Sequence, residues 1–288
     1  DVYKRQLYYN DNQPEKALAA YKQVISNYPG SEEAKIALQD LKSVYIDLND
    51  ITTYASYVNS IGGNIRLEVG EQDSLTYIAA EKLFMRGDND GARRSLINYL
   101  QTFPEGAFSS NANFYLGSIA FAKKEFDEAI QRFKSVIASG DTKFLEESVA
   151  RTAEIEYLSK DYPAALESFK RLQIVAENPE NRQAARLGIM RCALQTGQQK
   201  DALLAADELL KEPKLSPELE AEARYVRAKA YIAQKQANKA LADLKELSKD
   251  TRTVHGAEAK YLLAQLYYDT NAVSYTHLRA HETEADLV

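Results

Sequence analysis

The chain has 288 residues, of which 45% are hydrophobic and 27% charged, and its formal net charge at pH 7 is −6. This acidic balance, with no basic block, argues against a nucleic-acid partner, because such binders cluster Lys and Arg to neutralise phosphates. No stretch approaches the roughly 18 uncharged apolar residues of a membrane span, so the sequence predicts no transmembrane segment.

The two ends of the chain differ in kind from the rest. Residues 1–6 and 273–288 resemble translated sequencing-library adaptors, and we exclude them from the fold. We therefore expect a natural segment at residues 7–272, which is a fragment of a larger protein. His277 and His281 have zinc-ligand spacing, but they lie in the excluded tail, so we predict no metal site.

One helical template recurs along residues 7–272. A small residue is followed at +4 and +7 by apolar residues, which is the stripe of an amphipathic helix. The period is about 37 residues, and the template starts, in chain order, at Ala17, Tyr54, Ala92, Ala129, Ala165, Ala202 and Ala240.

A second apolar helix is predicted upstream of the later copies. These first helices fall at residues 77–85, 113–122, 149–158, 186–194, 224–233 and 260–268. Pro14 and Pro163 stand where second helices begin, and Ser216-Pro217 reads as a cap followed by an N1 proline. The pattern predicts seven helical hairpins or near-hairpins and a final single helix, with no sheet. Residues 59–72 interrupt it, which indicates a loop or kink.

The hairpins resemble the tetratricopeptide repeat. The small residue of each second helix matches that family's packing alanine, Leu116-Gly117 matches its leucine–glycine pair, and Pro29 and Pro104 match its closing proline. The resemblance implies an all-α fold, a right-handed α-solenoid of helix-turn-helix repeats whose first helices line a concave face. It also implies a protein or peptide partner and no cofactor.

Two positions of the first helices face that concave side in the family. The fifth position carries Tyr77, Phe114, Ala150, Leu187, Tyr225 and Tyr261, and the ninth carries Glu81, Ser118, Glu154, Arg191, Lys229 and Gln265. All of these except Ala150 are our candidate peptide-binding residues. The alternative is that the aromatic ones belong to the core between repeats. The ninth-position charges change sign along the chain, which predicts a ligand with opposite charges at its two ends.

Catalytic features are not apparent in the sequence. No nucleophile with a base, carboxylate pair or phosphate loop is visible. Cys192 is the only cysteine, and we expect it to be a small buried hydrophobe. His255, next to a predicted turn, is expected at the surface.

The sequence favours a non-catalytic protein- or peptide-binding scaffold. Similar arrays with motifs such as Tyr21–Pro29 occur in cell-envelope assembly factors, so by analogy we expect a bacterial protein of the periplasm or outer membrane. The alternative is a regulatory repeat domain attached to an enzyme outside this fragment. RNA recognition by related hairpins is disfavoured by the acidic balance. The oligomeric state is not indicated.

Overall fold

The computed structural model describes residues 13–61, 66–140 and 143–285, with side chains up to residue 269. Within these ranges the regular secondary structure is entirely α-helical. The described helices are α1 (Pro14–Asn27), α2 (Glu32–Asp47), α3 (Ile51–Ile61), α4 (Val69–Met85), α5 (Asn89–Thr102), α6 (Ser109–Ala122), α7 (Phe126–Ala138), α8 (Leu145–Leu158), α9 (Tyr162–Val175), α10 (Pro179–Gln195), α11 (Gln199–Leu209), α12 (Pro217–Ala233), α13 (Ala237–Leu247) and α14 (Val254–Ala285).

The chain divides into two compact units between Phe144 and Leu145. Unit 1 contains α1 and the hairpins α2–α3, α4–α5 and α6–α7. Unit 2 contains the hairpins α8–α9, α10–α11 and α12–α13, followed by α14. The predicted all-α fold of helix-turn-helix repeats is confirmed, with six hairpins in the described ranges. The first helix of the predicted seventh hairpin, at the N-terminus, lies outside the described residues.

Helix boundaries follow the local chemistry of the sequence. Pro163 stands in the first turn of α9, and α12 begins at Pro217, with the Ser216 hydroxyl accepting a hydrogen bond from the Leu219 amide at 3.3 Å. The predicted irregular stretch at residues 59–72 was too long, because α3 continues to Ile61 and α4 begins at Val69.

One small residue per second helix is buried against its neighbours. Ala92, Ala129, Ala165, Ala202 and Ala240 all have zero exposure, as predicted. The +4 residues Phe133 and Leu244 are also fully buried. Tyr54, which replaces the alanine in α3, is accommodated by ring contact with Tyr45 at a centroid distance of 5.9 Å. Cys192 has zero exposure, also as predicted, and burial raises the pKa of its thiol to about 11.

The turns inside the six hairpins share one geometry. Each has a residue with positive φ just after its first helix, namely Asn49, Gly87, Lys124, Lys160, Gly197 and Lys235. In the α8–α9 turn the Asp161 amide donates to the Glu156 carbonyl at 2.9 Å, and the Lys160 amide donates to the Tyr157 carbonyl at 3.0 Å. This pair of hydrogen bonds is the Schellman motif. Three turns place lysine where glycine is favoured, a feature that the sequence pattern did not indicate.

We expect Ala129→Phe to destabilise unit 1 by about 1–3 kcal/mol or more, because no space remains around this buried methyl group. Ala138→Phe, at an exposed position of the same helix α7, is the matched control. Urea denaturation measures both variants. If Ala129→Phe had the same urea midpoint as the parent protein, the assigned register of the array would be contradicted.

We expect Lys160→Gly to stabilise unit 2 by up to about 1 kcal/mol, because a left-handed conformation costs a side-chain-bearing residue about 1–2 kcal/mol, which exceeds the entropic cost of glycine. Gly197→Ala, at the equivalent position of the next hairpin (φ of 74°), should destabilise by a similar amount. Thermal melting of the two variants compares them directly. Shifts of the same sign would contradict the shared geometry.

Candidate peptide-binding surface

The fifth-position tyrosine of α4 is part of the core of unit 1. Tyr77 is only 2% exposed, and its ring stacks on Phe108 with centroids 4.5 Å apart and planes 3° apart. Its hydroxyl donates to Glu81 at 2.6 Å and accepts from the Asn111 amide at 3.2 Å. The expectation that Tyr77 lies on an open face was therefore wrong, because a ring from the start of the next hairpin covers it.

Two carboxylates organise the tyrosines of this unit. Glu81 accepts hydrogen bonds from both Tyr77 and Tyr115, the second at 2.9 Å. Asp73, 8% exposed, accepts from the Tyr99 hydroxyl at 2.5 Å and from the Ala107 amide at 2.8 Å. Burial is the main cause that raises the pKa of these three phenols, and the carboxylates raise it further. The tyrosines therefore remain neutral donors at neutral pH.

Phe114 and Ser118 also make internal contacts. The Phe114 ring stacks on Phe144 with centroids 4.1 Å apart, and the Ser118 hydroxyl donates to the Phe114 carbonyl at 2.9 Å. Both residues are half-buried. The Phe114 ring is thus used for packing inside unit 1, and the Ser118 hydroxyl is used within its own helix, which the concave-face expectation did not include.

Unit 1 also has an open depression between its first helices α2 and α4. Its volume is about 410 Å³, and it is lined by Ser43, Ile46, Ile78, Glu81, Lys82 and Met85. Ile78 and Met85 are 39% and 63% exposed. Glu81 is the one predicted site residue among those that line it.

One cavity of unit 2 lies between the first helices α8 and α10. It has a volume of about 280 Å³ and brings together three candidate residues, Glu154, Leu187 and Arg191. Phe169 and Leu172 of α9 also line it, together with Ala150, Ala184 and Gly188. We call this cavity the α8–α10 pocket. Gly188 is required there, because an added Cβ would lie 2.4 Å from the Phe169 ring.

Charged side chains around the α8–α10 pocket are paired with one another. Arg151 donates to Glu147 at 2.8 Å and to Glu154 at 2.9 Å. Arg191 makes a two-pronged ion pair with Glu222, with both distances 2.7 Å. The charge of Arg191 is thus already compensated, which weakens the sequence-based expectation of a charge gradient along the ninth positions.

Asn181 and Glu146 were not among the candidate binding residues. Glu146, on the first turn of α8, accepts from the Asn181 side chain at 2.7 Å and from the amides of Glu177 and Asn178. Burial opposes ionisation of Glu146, but these hydrogen bonds outweigh it and lower its pKa. Asn181 is thereby fixed at the edge of the pocket. Such a contact over 35 residues has no local sequence signal.

The remaining candidates lie on α12 and α14. The half-buried Tyr225 stacks on His255 with centroids 4.9 Å apart, and Lys229 Nζ lies 5.4 Å from the Tyr225 ring centre. His255 is therefore half-buried rather than a surface residue, because this ring covers it. Tyr261 is 69% exposed and Gln265 is also exposed. Tyr261 thus occupies the open position that was expected of the whole fifth-position set.

Among the described residues, no group of three or more His, Cys, Asp or Glu side chains is arranged to hold a metal ion. The side chains of His277 and His281 lie outside the described set. No described helix combines the length and apolar character needed to cross a membrane.

The repeated hairpins define a helical-repeat protein, and family models identify the repeat. Two models, both for the tetratricopeptide repeat, match residues 6–31 and 79–142. These two stretches are therefore tetratricopeptide repeats, and repeats of this kind support a protein-interaction scaffold at the coarse level. No curated protein sequence matches it.

Several solved structures are similar to the chain. YrrB, described as a TPR protein with an unusual peptide-binding site, has 18% identity and a TM-score of 0.49, covering 65% of this chain and 91% of its own. The C-terminal part of a TPR repeat-containing protein from Cytophaga hutchinsonii has 17% identity and a TM-score of 0.47, covering 90% and 99%. PilW, a type IV pilus biogenesis factor, has 14% identity and a TM-score of 0.40, and the match covers 76% of this chain and 95% of PilW. Likeness at this level carries no conclusion about function.

We expect the stability of unit 1 to fall as the pH rises from 10 to 12. The pKa of Tyr115 is raised from 10.0 to about 12, by burial and then by Glu81, and the pKa of Tyr54 is raised to a similar value by burial. Both phenols are neutral in both states below pH 10, so their contribution is complete there. It is lost between pH 10 and 12, because the unfolded chain ionises first.

Urea midpoints between pH 9 and 12 measure this loss, and tyrosinate absorbance follows ionisation in the folded state. Tyr115→Phe should reduce the alkaline loss of stability. Ionisation of every tyrosine near pH 10 in the folded protein would contradict the raised pKa values of Tyr54 and Tyr115.

Proposed function

We propose that the chain is a non-catalytic scaffold that binds a protein or peptide segment at the α8–α10 pocket. The observation that carries this proposal is the pocket itself, an opening of about 280 Å³ between consecutive first helices. Its walls include the half-buried Leu187 and the 56% exposed Leu158. An apolar floor with a charged border is the usual anatomy of a recognition site.

The charges around the pocket fit a border rather than a reaction centre. Arg151 and Arg191 are held by carboxylates, and hydrogen-bonded pairs of this kind fix orientation and tune the association rate. The binding free energy then depends on apolar groups that a ligand buries against Leu187 and its neighbours. The ten other candidate residues are proposed contacts only where the side chain is accessible, which excludes the buried Tyr77.

We further propose that the partner belongs to a cell-envelope complex, on the analogy of the Tyr21–Pro29 motif alone. The alternative is a regulatory array joined to an enzyme. The assignment of residues 7–272 to the array and of both tails to foreign sequence is also a proposal. Recovery of the flanking reading frame tests all three. A secretion signal supports the envelope assignment, and a fused catalytic domain supports the alternative.

We expect a photo-crosslinking amino acid at Leu158 to capture a discrete protein partner in cells. The matched control is Ile174, which lies on α9 in the same unit, is 84% exposed and does not line the pocket. Mass spectrometry identifies crosslinked peptides. Equal capture from both positions, or none from Leu158 in cells that express the native full-length protein, would contradict binding at the pocket.

A further inference from the structure

The α8–α10 pocket lies at a position that rings fill elsewhere in the chain. In the five hairpins from α4–α5 to α12–α13, the fifth-position residue of the first helix is paired by register with a residue from the start of the next first helix. That second residue stands four positions before a fully buried small residue, which is Ala112, Ser148, Ala185, Ala223 or Ala259. The pairs, in chain order, are Tyr77 with Phe108, Phe114 with Phe144, Ala150 with Asn181, Leu187 with Leu219, and Tyr225 with His255.

Three of these five pairs are stacked rings. Their centroid distances are 4.5 Å for Tyr77 with Phe108, 4.1 Å for Phe114 with Phe144 and 4.9 Å for Tyr225 with His255. The Leu187 and Leu219 pair keeps large apolar side chains at both positions. Of the five pairs, only Ala150 with Asn181 has neither a ring nor a large apolar side chain, and both of these residues line the pocket. The pocket therefore corresponds to space from which an aromatic side chain is missing.

A hydrogen-bond acceptor also stands where a phenol would need it. In α4, the hydroxyl of Tyr77 donates at 2.6 Å to Glu81, four residues further along the same helix. In α8, Ala150 replaces the tyrosine, and Glu154 stands at the same offset and lines the pocket. Ala150 and Glu154 thus repeat the Tyr77–Glu81 arrangement with the ring removed.

We propose that the α8–α10 pocket takes a tyrosine side chain from the bound partner segment. The ring replaces the missing fifth-position ring and packs on Leu187 and Phe169, and its hydroxyl donates to Glu154. The volume suffices, because an apolar protein cavity of about 150 Å³ binds benzene. Arg151, held beside Glu154 at 2.9 Å, supplies a cationic edge, which favours an aromatic guest over an aliphatic one. This inference rests on the proposed function and names the group that is recognised.

The test titrates the full chain with N-acetyl-tyrosinamide, N-acetyl-phenylalaninamide and N-acetyl-leucinamide. Amide NMR shifts at Ala150, Ala184 and Gly188 should saturate with the tyrosine probe. The phenylalanine probe should bind about tenfold more weakly, because it lacks the hydroxyl, and the leucine probe more weakly still. Equal affinity for the leucine probe, or shifts that fall outside the pocket, would overturn the proposal.

Two variants locate the ring and the hydroxyl. Ala150→Tyr should fill the pocket, abolish binding of the tyrosine probe and leave the melting temperature at or above that of the parent. Glu154→Met should reduce the affinity for the tyrosine probe to that for the phenylalanine probe, whose own affinity stays unchanged. Ile174→Tyr adds a ring at the exposed face of α9 and should change neither binding nor stability.

A second blocking variant keeps the test decisive if Ala150→Tyr fails to fold. Ala184→Phe narrows the pocket from an exposed position and should also abolish binding. Retained binding in folded Ala184→Phe or Ala150→Tyr protein overturns the proposal. Partner capture from Leu158 without tyrosine-probe binding overturns the tyrosine inference and leaves the scaffold function intact. Binding of the tyrosine probe without partner capture contradicts the scaffold function at this pocket, while the preference of the pocket for a tyrosine side chain remains.

Discussion

The close approach of two helices at one small side chain per hairpin is the constraint on which the rest of the structure depends. At Ala129, Ala165 and Ala202 the side chain has no exposed surface, so its small size sets how closely the helices can approach. A fixed crossing also fixes the gap between consecutive first helices. The side chains that fill this gap can then vary without moving the backbone. The repeat can therefore hold a stacked ring pair in one hairpin and an open pocket in the next.

The periodicity of the sequence was sufficient to predict the hairpins and most helix starts, because those depend on residues within one repeat. Exposure of the fifth-position residues was not predictable in the same way. Tyr77 is buried and Tyr261 is 69% exposed although both hold this position. The difference for Tyr77 is the ring of Phe108, which is supplied by the next hairpin. Comparison of equivalent repeat positions one at a time does not reveal a covering ring that comes from another hairpin.

The same limit explains which site residues were found. Glu154, Leu187 and Arg191 were candidates because they hold the fifth and ninth positions of their first helices, and the structure brings them to one pocket. Ala150 and Asn181 were missed because their contribution is the absence of a ring. The pairing of Arg191 with Glu222 spans 31 residues, and the charge of Arg191 alone did not reveal it. Partly exposed ion pairs of this kind contribute about 0–1 kcal/mol, so they orient a ligand more than they hold it.

An unfilled position between packed helices costs stability, because the lining atoms lose dispersion contacts that a ring would supply. The pocket lies inside unit 2, where α8 and α10 are both held by α9 through Phe169 and Leu172. In a repeat array, stability is roughly a sum of hairpin and interface terms, so neighbouring hairpins can offset one weak interface. Glu146 adds to this by holding the start of α10 through two backbone amides and Asn181. The array can thus keep the walls of the α8–α10 pocket in place while leaving its centre for a side chain from outside.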